Sequence, residues 1–228
     1  MLTEPKKKLI SDALKDIRSH LGSSQLVAVT KHTGIEEMAY AYELGQRIFG
    51  ENRVQDLVKK SEQLAGLPDL EWHFIGHLQR NKVKDVLKVE RLSAIHSVDS
   101  LSLLEKIIEC PQAARPLALF FEVNTSGEKE KWGFTDQEQL KLAFQKALKD
   151  GAPANLIPAG LMTMGTFRTK DAEGEAHRCF KELRKMKLDL EKSLGIKGLK
   201  LSMGMSGDYQ IAVEHGADYV RIGSQIFG

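Results

Sequence analysis

The stretch LKLSMGMSGDYQIAVEHGADYVRIGSQIFG, Leu199 to Gly228, reads as strand, turn, helix and strand. LKLSMG and DYVRIG are short β-rich runs, and Asp208 to His215 between them forms a short helix. Strands joined through a helix run parallel, because a parallel connection needs a crossover. Gly204, Ser206 and Gly207 fill the turn, and Gly223 and Ser224 end the second strand. Glycines let backbone N–H groups come close to an anion, and serine hydroxyls add donors. Each loop alone fits a blander reading, a helix N-cap at Ser206 and a tight turn at Gly223. On adjacent loops they favour one anion cradle.

The same alternation runs back through the chain. Six earlier β-rich runs, LVAVT (Leu26–Thr30), RIFGE, EWHFIG, SAIHSV, LALFFEV and NLIPAGLMTM, each lead into a helical stretch. Those helices are expected over residues 35–44, 53–64, 80–87, 100–108, 136–148 and 171–190. The stripe Leu140, Phe144, Ala147 and Leu148 has helical spacing, as do Ala176, Phe180, Leu183 and Leu190. Eight β-α units predict a single (β/α)8 TIM-type barrel of parallel strands, with an extra N-terminal helix over about residues 6–20. A doubly wound open sheet is the competing fold, weakened by the missing GxGxxG turn after the first strand.

Composition bounds the rest. At about 150 residues per domain, 228 residues leave one large domain or two small ones. The repeated unit favours one, spanning residues 1–228. With 42% apolar and 28% charged residues the chain is globular, not disordered or fibrous. No apolar run approaches the roughly 20 residues of a membrane span, and the start, MLTEPKKKLISD, lacks a signal-peptide core. A net charge of +2 with interleaved signs, as in residues 181–200, argues against a nucleic-acid footprint. Cys110 and Cys179 form no CxxC pair, which suits a reducing cytoplasm.

In such barrels the working residues lie where strands end. Those positions are Lys31, Asn52, His77, Asp99, Asn124, residues 162–164, Ser206 and residues 221–224. Lys31 shares the parity of Val27 and Val29, so it projects at the barrel mouth, beside the cradle, if that face lines the interior. Partial desolvation there would favour a nucleophilic amine, although a solvated strand-end lysine is the simpler alternative. Arg221 shares a face with Tyr219 and presents a fixed cation below the cradle. A lysine near an anion cradle suits a Schiff base with a phosphorylated carbonyl compound, either pyridoxal phosphate or a sugar phosphate. An arginine toward the ligand's far end favours the pyridine nitrogen of the former.

The segments AVTKH (28–32), FGENRVQ (49–55), WHFIGHLQRNK (72–82), HSVDS (96–100), EVNTSGEKEKWGF (122–134), GLMTM (160–164) and residues 201–228 occur in order. Across essentially the whole chain they resemble the YggS/PROSC family of pyridoxal-phosphate homeostasis proteins. The resemblance implies a barrel similar to the N-terminal domain of bacterial alanine racemase, holding pyridoxal 5′-phosphate (PLP) as an aldimine on Lys31. It maps Ser206, Gly207, Gly223 and Ser224 onto the phosphate site and Arg221 onto the pyridine nitrogen, with Asn52 and Met203 as further pocket residues. His32 stands where Thr is commoner and Asp56 where Glu is usual; neither touches the aldimine reading.

Racemisation needs a base on each face of the substrate, and alanine racemases supply a tyrosine from a second domain that is not expected here. Tyr40 and Tyr42 lie mid-helix, Tyr209 follows the cradle, and Tyr219 enters its strand from the far end. An arginine at the ring nitrogen, always a donor, keeps that nitrogen unprotonated and the ring a poor electron sink. The expectation is a non-catalytic carrier of PLP, with no catalytic residues and no metal. It would serve PLP-dependent apo-enzymes as recipients, as a cytoplasmic monomer or weak homodimer without nucleic-acid or membrane partners. The alternatives are a PLP-dependent amino-acid racemase of low activity and a sugar-phosphate aldolase or isomerase. His73 and His77 straddle a strand end, too far apart to share a metal. His96 and Asp99 read as packing and a helix cap, and Cys179 as a buried inert thiol. Glu128, Lys129 and Lys131 belong to either a lid or a solvated loop.

Overall fold

The computed structural model describes residues 2–110, 115–128, 131–149, 152–165 and 169–228. Lys129 of the candidate lid lies outside them. Eight strands form where the β-rich runs lie: β1 (Gln25–Val29), β2 (Ile48–Glu51), β3 (Glu71–Phe74), β4 (Leu92–Val98), β5 (Leu117–Glu122), β6 (Leu156–Met162), β7 (Lys200–Ser202) and β8 (Tyr219–Ile222). Every neighbouring pair is parallel, and β1 pairs with β8, so the sheet closes into a barrel in chain order.

The helices wrap the outside: α1 (Glu4–His20), α2 (Ile35–Glu43), α3 (Val54–Gln63), α4 (Val83–Leu87), α5 (Leu101–Glu109), α6 (Gln137–Leu148), α7 (Ala172–Leu194), α8 (Tyr209–Glu214) and α9 (Ser224–Phe227). Side-chain caps set several starts. Ser100 accepts from the Leu103 N–H, Asp136 from Glu138 and Asp171 from Gly174. The cap after β4 is therefore Ser100, not Asp99. Helix α7 runs past Leu190 to Leu194, where Gly195 ends it in the left-handed region at φ 68°. The expected helix at 80–87 opens as a 3₁₀ turn, Arg80–Lys82, before α4. Only α9, a single turn after β8, lacks a counterpart in the sequence reading; at four residues it is too short for periodicity to show.

Alternation along the strands divides the core in two. Outward residues such as Phe49, Trp72, Phe74, Phe121 and Leu201 pack against the helices' apolar stripes. Burying each such side chain contributes roughly 1.5–3 kcal/mol. Inward residues fill the barrel, with Ala94, Phe120 and Met162 buried beside Tyr219. Helix α1 inserts Ile10, Leu14 and Ile17, one face at helical spacing. Its Lys6 Nζ donates to the Phe227 carbonyl at 2.6 Å, tying it to α9.

Candidate functional site

Register places the site. Val27 on β1 lies level with Arg221 on β8, and Ala28 with Ile222, so Val29 meets Gly223 one step higher. A Cβ at position 223 would sit 2.8 Å from the Val29 carbonyl oxygen, so only glycine lets the strands close there. The loops after β7 and β8 then meet, with Ser224 Oγ donating to Ser206 Oγ at 3.2 Å. Asp208 Oδ1 accepts the Met205 N–H at 2.6 Å and shapes the first of these loops. Helix α8, which follows the first loop, has only six residues, so its dipole contributes little there.

A cavity of about 550 Å³ opens at this mouth, a size that suits a small cofactor. Lys31, Asn52, Ser206, Gly207, Arg221, Gly223 and Ser224 all line it. Met203 does not: it is fully buried in the outer core, and Met205, two residues on, reaches the cavity. Lys31 is exposed at the mouth and not buried. Strand β1 stops at Val29, leaving Lys31 two residues beyond the last paired position.

What aims Lys31 is a buried cluster behind it. Glu51 Oε1 accepts from Thr30 Oγ1 and from Lys60 Nζ, each at 2.6 Å, and Lys60 Nζ also donates to the Thr30 carbonyl at 2.6 Å. This pins the residue before Lys31 to β2 and α3.

The wall opposite the cradle was only partly foreseen. His77, expected at the end of its strand, lines the cavity with Nδ1 3.0 Å from Asp99 Oδ2, and the exposed Trp132 stacks on it at 4.0 Å. The loop carrying Trp132 is therefore at least partly a lip of the cavity. Asn124 turns away to organise that loop, donating to the Glu128 and Lys131 carbonyls and accepting from Ser126 and Gly127. Lys131 and Glu128 pair at 2.8 Å. Met162 packs inside the barrel, while Met164 reaches the cavity.

Glu122 also lines the cavity although it is 4% exposed. Burial, then the charge of Asp99, pushes its carboxyl up to about 7, with Arg221 pulling the other way. The signal that would have found Glu122 is its parity with Phe120 on β5. Burial lowers Arg221 to about 10, resisted by Glu122 and Asp208, so it remains a cation at neutral pH. Of the minor candidates, His73 and His96 face each other inside the barrel, Cys179 is fully buried, and no three metal-ligating side chains cluster among the described residues.

A closed barrel of eight parallel strands with flanking helices is an alanine-racemase-like architecture. Alanine racemase from Corynebacterium glutamicum superposes with a TM-score of 0.73 at 15% identity over 97% of this chain and 61% of its own, a likeness of fold alone. The chain matches no family model. It is 40% identical over 212 residues to the pyridoxal phosphate homeostasis protein of mouse, spanning 90% of this chain and 76% of that one. To its Schizosaccharomyces pombe counterpart it is 38% identical over 226 residues, 96% and 92% of the two chains. PipY of Synechococcus elongatus, solved with PLP bound, matches with a TM-score of 0.84 and 33% identity over 96% of this chain and all of that one. The chain belongs to the family of pyridoxal phosphate homeostasis proteins.

Proposed function

We propose that the protein binds pyridoxal 5′-phosphate at this mouth and holds it for release to PLP-dependent apo-enzymes. The observation that carries the reading is the convergence of Lys31, the Ser206–Ser224 cradle and Arg221 on one cavity. Residues present fit the cofactor's parts. The cradle offers hydroxyls and glycine N–H groups to a phosphate, Arg221 offers N–H donors to a ring nitrogen, and Lys31 offers an amine to an aldehyde. Asn52 Oδ1 is buried without a hydrogen-bond partner among the described residues, an acceptor that a ligand's donor would satisfy. PipY, a structural relative with PLP bound, supports the same reading.

Bound there, PLP supplies an aldehyde that captures amines and a ring that can accept electrons from them. Lys31, whose side chain lines the cavity, would be the residue that holds the group through its aldehyde. Arg221, charged and donor-only, would donate to the ring nitrogen and so favour holding over turnover. Tyr219 points into the barrel floor against His73, His96 and Phe120. Tyr40, Tyr42 and Tyr209 lie on α2 and α8. We place the protein in the cytoplasm as a monomer or weak homodimer without nucleic-acid partners, residues 1–228 forming one cofactor domain. Neither Cys110 nor Cys179 forms a disulfide, and no helix among the described residues is long and apolar enough to cross a membrane.

One observation favours the alternative of a low-activity racemase: His77, oriented by Asp99, lines the same cavity as Lys31 and is a second candidate base. Two measurements decide. Borohydride reduction after incubation with PLP is expected to add one pyridoxyl phosphate group to the intact mass, mapped by peptide digestion to Lys31. No adduct, or an adduct elsewhere, overturns the binding reading. Deuterium appearing at Cα of an added amino acid, dependent on Lys31 and His77, moves the conclusion from carrier to racemase.

A further inference from the structure

Beneath Arg221 runs a chain of buried polar groups that cofactor binding does not itself explain. Arg221 Nη1 donates to Ser202 Oγ at 2.6 Å, and Nη2 donates to the Thr163 carbonyl at 2.9 Å. Ser202 Oγ lies 2.7 Å from His96 Nδ1, and His96 Nε2 lies 2.9 Å from His73 Nδ1. Ser202 and His96 are fully buried, and Arg221 and His73 nearly so. The four residues come from β8, β7, β4 and β3, so the chain crosses the barrel interior.

Chemistry gives the chain a direction. A guanidinium only donates, so Ser202 Oγ accepts from Arg221 and retains one proton to give. Nδ1 of His96 is the acceptor that uses it. His96 then carries its proton on Nε2 and donates to His73 Nδ1, which puts the His73 proton on its own Nε2. Both rings must be neutral for this order, and burial lowers both: His73 to about 3, with Lys200 adding to the effect, and His96 well below its ordinary value, with His73 and Arg221 adding. Every bond then points away from Arg221, and the guanidinium is fixed at two of its nitrogens.

We propose that Ser202 and His96 are positioning residues that lock the Arg221 guanidinium, so that its remaining N–H groups face the cavity in the orientation that receives a pyridine-type ring nitrogen. The ligand side of this inference rests on the PLP reading above; the locking does not. Removing the Ser202 hydroxyl frees Nη1. The guanidinium can then rotate, and its hold on the ring nitrogen weakens.

The decisive comparison uses Ser202→Ala, Ser202→Thr and His96→Gln. In the cofactor-free protein, NMR of the Arg221 side chain is expected to show hindered guanidinium rotation in wild type, lost in Ser202→Ala and kept in Ser202→Thr. With PLP added, Ser202→Ala is expected to bind about tenfold more weakly, the scale of one charge-assisted hydrogen bond. The visible band of the bound cofactor and its pH titration should shift, because the ring nitrogen is no longer held unprotonated. Ser202→Thr should restore affinity and spectrum, and His96→Gln should fall between. Unchanged rotation, affinity and spectrum in Ser202→Ala overturn the proposal. If Ser202→Ala does not fold, His96→Gln decides by the same readouts against wild type. If wild type binds no PLP while the rotation data come out as stated, the cofactor reading fails and the locked arginine stands.

Discussion

Lys31→Ala is expected to give a folded protein that no longer develops the yellow colour of bound PLP, whereas Lys60→Ala is expected to unfold readily. The two lysines serve the same strand end with opposite logic. Lys31 lies beyond β1, exposed at the cavity, and substitutions at such positions usually change stability by no more than about 0.5 kcal/mol. Its loss removes the only covalent attachment proposed for the cofactor and leaves the cradle and Arg221 to hold PLP by contacts alone. An affinity lower by on the order of 100-fold follows if the imine contributes about 2.8 kcal/mol. Lys60 is nearly buried and neutralises Glu51, whose side chain is fully buried. Deleting one partner of such a pair strands a buried charge, at about 3–5 kcal/mol. Absorbance titration with PLP separates the variants by colour, and urea denaturation separates them by stability. A colourless Lys60→Ala variant with wild-type stability would contradict both assignments.

The fold was legible because each β-α unit repeats a pattern on the scale at which sequence carries information: a short apolar run, a turn, an amphipathic helix. The Gly223 turn was legible for a related reason, since Val29 of the neighbouring strand leaves room there only for glycine. Lys31 and Arg221 followed from parity on their own strands. Glu122 and the Arg221–Ser202–His96–His73 chain did not, because they depend on which side chains meet across the barrel. Nothing in HSVDS says that His96 faces Ser202, 106 positions away. Met203 shows the limit of transferring a residue by resemblance: a shift of two positions separates a core side chain from one at the cavity. The exposure of Lys31 was hidden similarly, since where β1 stops depends on its neighbours β2 and β8.

Acid is expected to weaken the cofactor-free protein, and Glu122 to mask part of the effect. His73 is held down to about 3 and His96 well below 6.5, so in the fold both stay neutral while the unfolded chain takes up protons below 6.5. The unfolded state then binds more protons, and the stabilising share of each histidine, present above pH 6.5, is lost as the pH falls. At pH 4.5 that loss is about 3 kcal/mol for His73, and His96 adds to it in the same direction. Glu122 works in the opposite sense. Its folded value of about 7 lies above its ordinary 4.5, so between these values the fold keeps a proton that the unfolded chain has released. Its share of stability is fully present below 4.5 and disappears as the pH rises through 7. Acidification from pH 7 to 4.5 therefore returns about 3 kcal/mol through Glu122, while His73 removes about 3 and His96 removes more in the same direction. Glu122→Gln cancels the return. The variant should be about 3 kcal/mol more stable than wild type at pH 7 and nearly equal to it at pH 4.5. Urea denaturation of the two cofactor-free proteins at both pH values measures this difference directly, and other carboxylates, common to both, drop out. Parallel pH profiles would mean that Glu122 is ionised in the fold and pairs with Arg221. That pairing would compete with any ring nitrogen for the guanidinium, so the same measurement also tells whether Arg221 is available at the cavity in the cofactor-free protein.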